Sequence, residues 1–336
     1  MTQPGLSGRL IHGTKTIRSL RSAMPTLLLC ALLSSAAMAA ERDTVIRKAI
    51  IYVTPDVSSS KLATADRGRE AVVLERTPGW VHVIATLMDA AYSPNPEASR
   101  ARNVTGWILD KGYISEQTAK GDEILFAEAA DSEDEASHSH GRKGAAADAR
   151  RLYYRVFDLF PKSPLAGEAL YRAADIQWQL DKEDMQSRPS YKTASPGERM
   201  PINEDAMRLV HKKFPGSKWA DLAAYQLLDN KMCSDWAGAS KCPEKEAEIY
   251  EKYAAEHSSS PKAAEALYEA AYRWAAVVTI YTGEGESKKI PEAQKRAVAD
   301  AQKVIEKNAS PEWNARAQRV IYMVEKNIPA YGISVE

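Results

Sequence analysis

The chain has no net charge, no apolar run long enough to span a bilayer, only three cysteines and none of the common short catalytic motifs. Its 336 residues hold 45 Lys and Arg against 45 Asp and Glu. Residues 1–39 carry Arg9, Lys15, Arg18 and Arg21 and no acid, so beyond them 41 basic groups face 45 acidic ones. A mildly acidic chain lacks the concentrated basic face that displaces counterions from phosphates, and no nucleic-acid partner is expected. Gly-x-x-x-x-Gly-Lys, His-Glu-x-x-His and Gly-x-Ser-x-Gly are all absent, which leaves phosphate-loop, zinc-peptidase and serine-hydrolase chemistry without sequence support. Ser58-Ser-Ser-Lys61 and Ser259-Ser-Pro-Lys262 spell Ser-x-x-Lys. The partner motifs that make this pattern catalytic are missing, so the two read as a turn and a helix start.

The one apolar run, Thr26-Leu-Leu-Leu-Cys-Ala-Leu-Leu33, follows the basic start and precedes Ser34-Ser-Ala-Ala-Met-Ala-Ala40. Basic, apolar, then small is the order of a secretory signal peptide over 1–40, with cleavage after Ala39 or Ala40. The run is too short for a membrane span of about 20 residues, and none is expected after cleavage. Cys30 raises a lipoprotein reading, which the large Leu29 before it disfavours. The implied location is periplasmic or secreted. In that oxidising setting Cys233 and Cys242, nine positions apart, are expected to form a disulfide clamping a loop between helices. The rival reading, half of a metal site, lacks further Cys or His ligands at suitable spacing. No cofactor or metal is expected.

Residues 41–116 are rich in β-branched positions, with short apolar runs at 45–53, 70–75, 80–86 and 105–109 and clear alternation in Trp80-Val-His-Val-Ile84. This is the texture of a compact all-β unit. Ile50-Ile-Tyr-Val-Thr-Pro55, Arg67-Gly-Arg-Glu-Ala-Val-Val-Leu-Glu75, Pro78-Gly-Trp80-Val-His-Val83 and Gly106-Trp107-Ile108 with Tyr113-Ile114 resemble the bacterial SH3-like (SH3b) family. The resemblance implies a small β-barrel that binds cell-wall peptides or peptidoglycan. This chain departs from the family in its long 87–103 loop and in lacking Asn-x-Arg before the first turn. Tyr52, Trp80, Trp107 and Tyr113 are candidates for an aromatic binding face. Against that stands burial, since inward side chains fill small barrels and the two tryptophans would fit its core.

Residues 117–144 read as a linker with a candidate first helix. Within it the polar stretch 131–144 suits a solvated loop, and Glu133, Asp134, His138 and His140 are weighed as metal ligands without a closed set. From 145 to 328 the apolar spacing turns helical. Phe160-Pro-Lys-Ser-Pro-Leu-Ala166 aligns with Phe214-Pro-Gly-Ser-Lys-Trp-Ala220 and with His257-Ser-Ser-Ser-Pro-Lys-Ala263, and Ala309-Ser-Pro-Glu-Trp313 echoes them. An aromatic closes one helix, proline breaks it, and serine is placed to cap the next. Helices are predicted over 121–136, 145–160, 164–182, 201–214, 217–232, 243–257, 261–281, 291–308 and 312–327, with a tail at 329–336. The repeats resemble those of periplasmic tetratricopeptide proteins, including outer-membrane-assembly lipoproteins and Tol–Pal-associated proteins. That implies an all-α helical-hairpin solenoid, making the whole chain multidomain.

The function expected is that of an envelope scaffold or adaptor. Its helical groove would bind a protein or peptide, with Trp219, Tyr225, Tyr272 and Trp274 as candidate contacts, and the SH3-like unit would add a second protein or wall contact. The alternative is a peptidoglycan-binding or wall-active protein. Cys233-Ser-Asp-Trp236 faintly resembles the nucleophile segment of cell-wall cysteine peptidases. It lacks the preceding Asp, the following Gly and a strand-borne His, so no enzyme is expected.

Overall fold

A computed structural model of the chain describes residues 41–88, 101–194, 200–233, 235–307 and 310–331. The expected signal peptide and most of the 87–103 loop lie outside them, as do the last five residues of the tail. The described residues belong to one compact unit.

Seven strands open that unit: β1 Arg42–Val45, β2 Ala49–Tyr52, β3 Lys61–Ala65, β4 Glu70–Thr77, β5 Trp80–Met88, β6 Ala101–Leu109 and β7 Tyr113–Ser115. They form an antiparallel sheet in the order β3-β2-β6-β5-β4-β1-β7. Among the described residues no pairing joins β3 to β7, so the sheet is open. Alternation assigns the faces: Val81, Val83, Ala85 and Leu87 of β5 are buried with Ile51, Ala71, Val104 and Ile108. Each such Val, Leu or Ile removed from water contributes about 1.5–3 kcal/mol. Neither tryptophan belongs to this cluster, so the reading in which they fill the core is corrected: small aliphatic residues occupy it. The 87–103 stretch is corrected too, because β5 and β6 stay paired out to Met88 and Ala101.

Among the described residues ten helices follow: α1 Gly121–Ser137, α2 Ala145–Leu159, α3 Ala166–Ser187, α4 Pro189–Thr193, α5 Asp205–Lys213, α6 Lys218–Gln226, α7 Lys241–Glu256, α8 Ala263–Glu284, α9 Ile290–Glu306 and α10 Pro311–Glu325. The expected linker is largely α1. It agrees with the helix predicted over 121–136 and buries Leu125, Ala129 and Ser132 on one face, so of the polar stretch 131–144 only the part beyond Ser137 lies outside the helix. Helix α5 starts later than predicted because the Asn203 side chain accepts from the Asp205 amide at 2.7 Å and makes a turn. The predicted 217–232 helix stops at Gln226, with a 3-10 turn at Asp229–Lys231. There the Asn230 amide bonds both backbone groups of Ile202, at 2.8 and 3.0 Å, drawing the chain out of the helix.

The repeated junctions differ in detail. Ser217 caps α6, accepting from the Ala220 amide at 3.2 Å. Ser163 and Ser260, each followed by proline, accept instead from Leu165 and Lys262, at 3.1 Å in both cases. The helix then starts three residues after the serine, so those two do not cap it as expected.

Sheet and helices share a seam. Ile114 of β7 packs with Leu125, Leu152 and Val156. Arg151 Nε donates to the Arg67 carbonyl at 2.9 Å, and Arg42, Glu70, Arg155 and Asp158 form an ion-pair network across the seam. Burial, with Arg69 nearby, pushes the Arg151 guanidinium down to about 10. Gly68, at φ +77°, lies so close that an added Cβ would sit 2.4 Å from Arg151 Cβ.

Candidate functional site

Two kinds of surface emerge, one on the sheet and one between helices. On the sheet, Tyr52 is paired with Trp107, Trp107 with His82, and Trp80 with Leu109. Side chains of directly opposed residues share a face, so these form an aromatic row on the side away from the aliphatic core. Trp107 stacks on His82 with centroids 4.7 Å apart, and Tyr52 meets Trp80 edge-on at 5.5 Å. Both tryptophans are half-buried, whereas Tyr52 is buried. Gly106, on the opposite face, lets β2 come close to β6, since a Cβ there would lie 2.6 Å from the Tyr52 carbonyl oxygen and 2.7 Å from Ile51 Cγ2. The sequence therefore placed three of its four sheet aromatics in one row. The fourth, Tyr113, packs against the core and hydrogen-bonds through its hydroxyl with Asp110 and Arg76.

Beside the row lies a cleft of about 300 Å³ lined by Arg47, Lys48, Ala49, Ile50, Tyr52, Leu109, Lys111 and Gly112. It opens where β2 parts from β6. The Tyr52–Trp107 register would set Ile50 opposite Leu109, yet those two residues do not pair.

The helical array carries two further clefts at corresponding places. The first, about 270 Å³, lies between α2, α3 and α5 and is lined by residues including Tyr154, Leu170, Ala174, Gln177 and Leu209. The second, about 410 Å³, lies between α7, α8 and α9 with Glu251, Ala254, Leu267, Asp300 and Lys303. Leu170 and Leu267 stand ten residues beyond the aligned junction residues Phe160 and His257, so the repeat generates the cleft twice. The Asp300 carboxyl is pushed up to about 6 by burial and by Glu251 beside it, against the pull of Lys303 at 2.8 Å.

None of the four predicted helical aromatics lines either cleft. Trp274 is 4% exposed, its Nε1 donates to Glu251 at 2.9 Å, and the Arg296 guanidinium lies over its ring. This removes it from any open groove. Trp219 stacks on Tyr171. The Tyr225 hydroxyl donates to Glu265 at 3.1 Å, and burial pushes its phenol far above its ordinary value. Tyr272 reaches the Ala330 carbonyl at 3.4 Å. These rings join one hairpin to the next. Sequence reasoning missed Tyr154, an aromatic 40% exposed at the first cleft, because it sits at no junction motif. Its only signal was a second tyrosine beside Tyr153 on a face that did not need it.

Cys233 and Cys242 form a disulfide, so Cys233 offers no thiolate. The loop it closes is tied down by Glu246, which is 2% exposed and accepts from the Cys233 amide, Trp236 Nε1 and Arg273 Nε at 2.7, 3.2 and 2.7 Å. Glu133, weighed as a metal ligand, instead bonds the Tyr153 hydroxyl at 2.7 Å and Arg172 at 2.9 Å. Among the described residues no group of three or more His, Cys, Asp or Glu is placed to hold a metal, and no helix is long and apolar enough to cross a membrane.

No protein family matches the chain by its sequence profile, and no curated protein matches it. Solved structures similar to parts of it include two helical proteins. The DHF58 filament is 19% identical over 61% of this chain and 91% of its own, with a TM-score of 0.23. The de novo designed helical repeat protein DHR64 is 19% identical over 62% and 95%, with a TM-score of 0.19. At such scores the likeness carries no argument about function.

Proposed function

We propose that this chain is an exported cell-envelope adaptor, periplasmic or secreted, whose tetratricopeptide-like repeats bind a protein or peptide while an SH3-like unit supplies a second protein or cell-wall contact. The observation that carries this reading is the recurrence of a cleft at corresponding repeat positions, about 270 and 410 Å³. A cleft that returns with the repeat suits an extended partner crossing successive hairpins. Two modest contacts on one rigid chain reinforce each other through effective concentration.

A second reading, direct binding or cleavage of peptidoglycan, draws on the aromatic row of the sheet, since aromatic faces are common at carbohydrate and peptide contacts. Incubating the purified protein with isolated sacculi separates the two. The adaptor reading expects no released fragments and, where the sheet touches the wall, only weak co-sedimentation. Quantitative sedimentation would move the primary role to the wall, and soluble fragments would make the protein a hydrolase.

A further inference from the structure

The sheet's cleft differs from the helical clefts in charge. Its rim holds three cations, Arg47, Lys48 and Lys111, and its floor is Ala49, Ile50, Tyr52 and Leu109, with no acid in the lining. Two of the cations are engaged: Arg47 pairs with Glu128, and Lys48 lies 3.6 Å from Asp66. Lys111 has no ion pair and no side-chain hydrogen bond among the described residues. A cation beside an apolar floor asks for an anion that carries its own apolar group.

We propose that this cleft binds the free C-terminal carboxylate of a peptide whose last side chain is apolar, with Lys111 as the principal carboxylate contact. The apolar side chain covers Ile50 and Leu109 and meets the buried edge of Tyr52. A simple oxyanion would be served by the rim alone and would leave that floor wet. An extended peptide end suits the place where β2 leaves β6, lying along Ile50 and Leu109 with its terminus toward Lys111. The inference rests on the adaptor reading, in which the sheet is the second contact, and gives that contact a chemistry.

The test is a calorimetric titration of the purified protein with acetyl-Gly-Ala-Leu as the free acid and as the amide, with acetate and inorganic phosphate as competitors. The acid is expected to bind at least tenfold more tightly than the amide. Lys111→Gln should abolish most of that preference and Lys111→Arg should keep it. Equal binding of acid and amide, an unchanged preference in Lys111→Gln, or no binding by either peptide would each overturn the proposal. Displacement by acetate or phosphate at concentrations equal to the peptide would reduce the site to a simple anion site and overturn it as well. Tyr154→Ala is run alongside: if it removes the preference and Lys111→Gln does not, the peptide sits on the helices. That result would end this assignment and spare the adaptor.

Discussion

The Asp43 carboxyl has no exposed surface; one oxygen lies 3.1 Å from Arg76 and the other has no partner among the described residues. Burial, partly offset by Arg76, pushes it from 3.8 up to about 6. A carboxyl whose folded value is raised contributes stability below its unfolded value and loses that contribution as pH rises through the folded one. Between pH 4 and pH 7 the natural protein should therefore lose up to about 3 kcal/mol relative to Asp43→Asn. Urea unfolding of the two proteins at both pH values checks this, and parallel pH profiles would refute it. Glu246 is the opposite case, a buried acid whose three donors hold the disulfide loop against α7 and α8. Glu246→Ala leaves Arg273 without its most buried partner and should cost about 3–5 kcal/mol in denaturant unfolding. Glu246→Gln, which keeps an acceptor, should cost less.

Among elements, the sheet–helix seam depends on two segments of the chain approaching at Gly68. Alanine there meets both a positive φ and the Arg151 side chain. Gly68→Ala should destabilise by about 2 kcal/mol or more, with hydrogen exchange rising first in β4 and α2. The disulfide closes a loop with a sequence separation of 9, and removing it should cost about 2–3 kcal/mol. Thermal melts with and without reductant measure that, and neither cysteine should label with a thiol reagent before reduction. These elements also show what the sequence could convey. The Phe160-Pro-Lys-Ser163 and His257-Ser-Ser-Ser260 junctions encode helix breaks locally, so helices α2, α3, α7 and α8 were legible to within a few residues. The Ser217 cap was legible too, whereas the shifted bonds of Ser163 and Ser260 follow from the proline after each serine. The aromatic row was half legible. Its residues could be named, but their face depends on strand register, which sets Tyr52 against Trp107. The clefts were not legible, because they arise from how separate helices meet and are lined largely by unremarkable Ala, Leu and Lys.

At the scale of the whole molecule, the helices gather around separate cores, one spanning α7 to α10 and others spanning α1 to α6. The hairpins on either side of that division are linked by Tyr225 against Tyr250 and Tyr253, and by His257 Nδ1 to Asp221 at 2.8 Å. The predicted aromatics thus serve continuity of the array, and none of the four lines the two clefts between hairpins. The most direct measurement places a photo-crosslinking amino acid at position 154, in the first cleft, or at position 322, exposed on α10, in the cells that produce the protein. The adaptor account predicts a discrete crosslinked partner protein at 154 and none at 322. The same products at both positions, or none at 154, would contradict it.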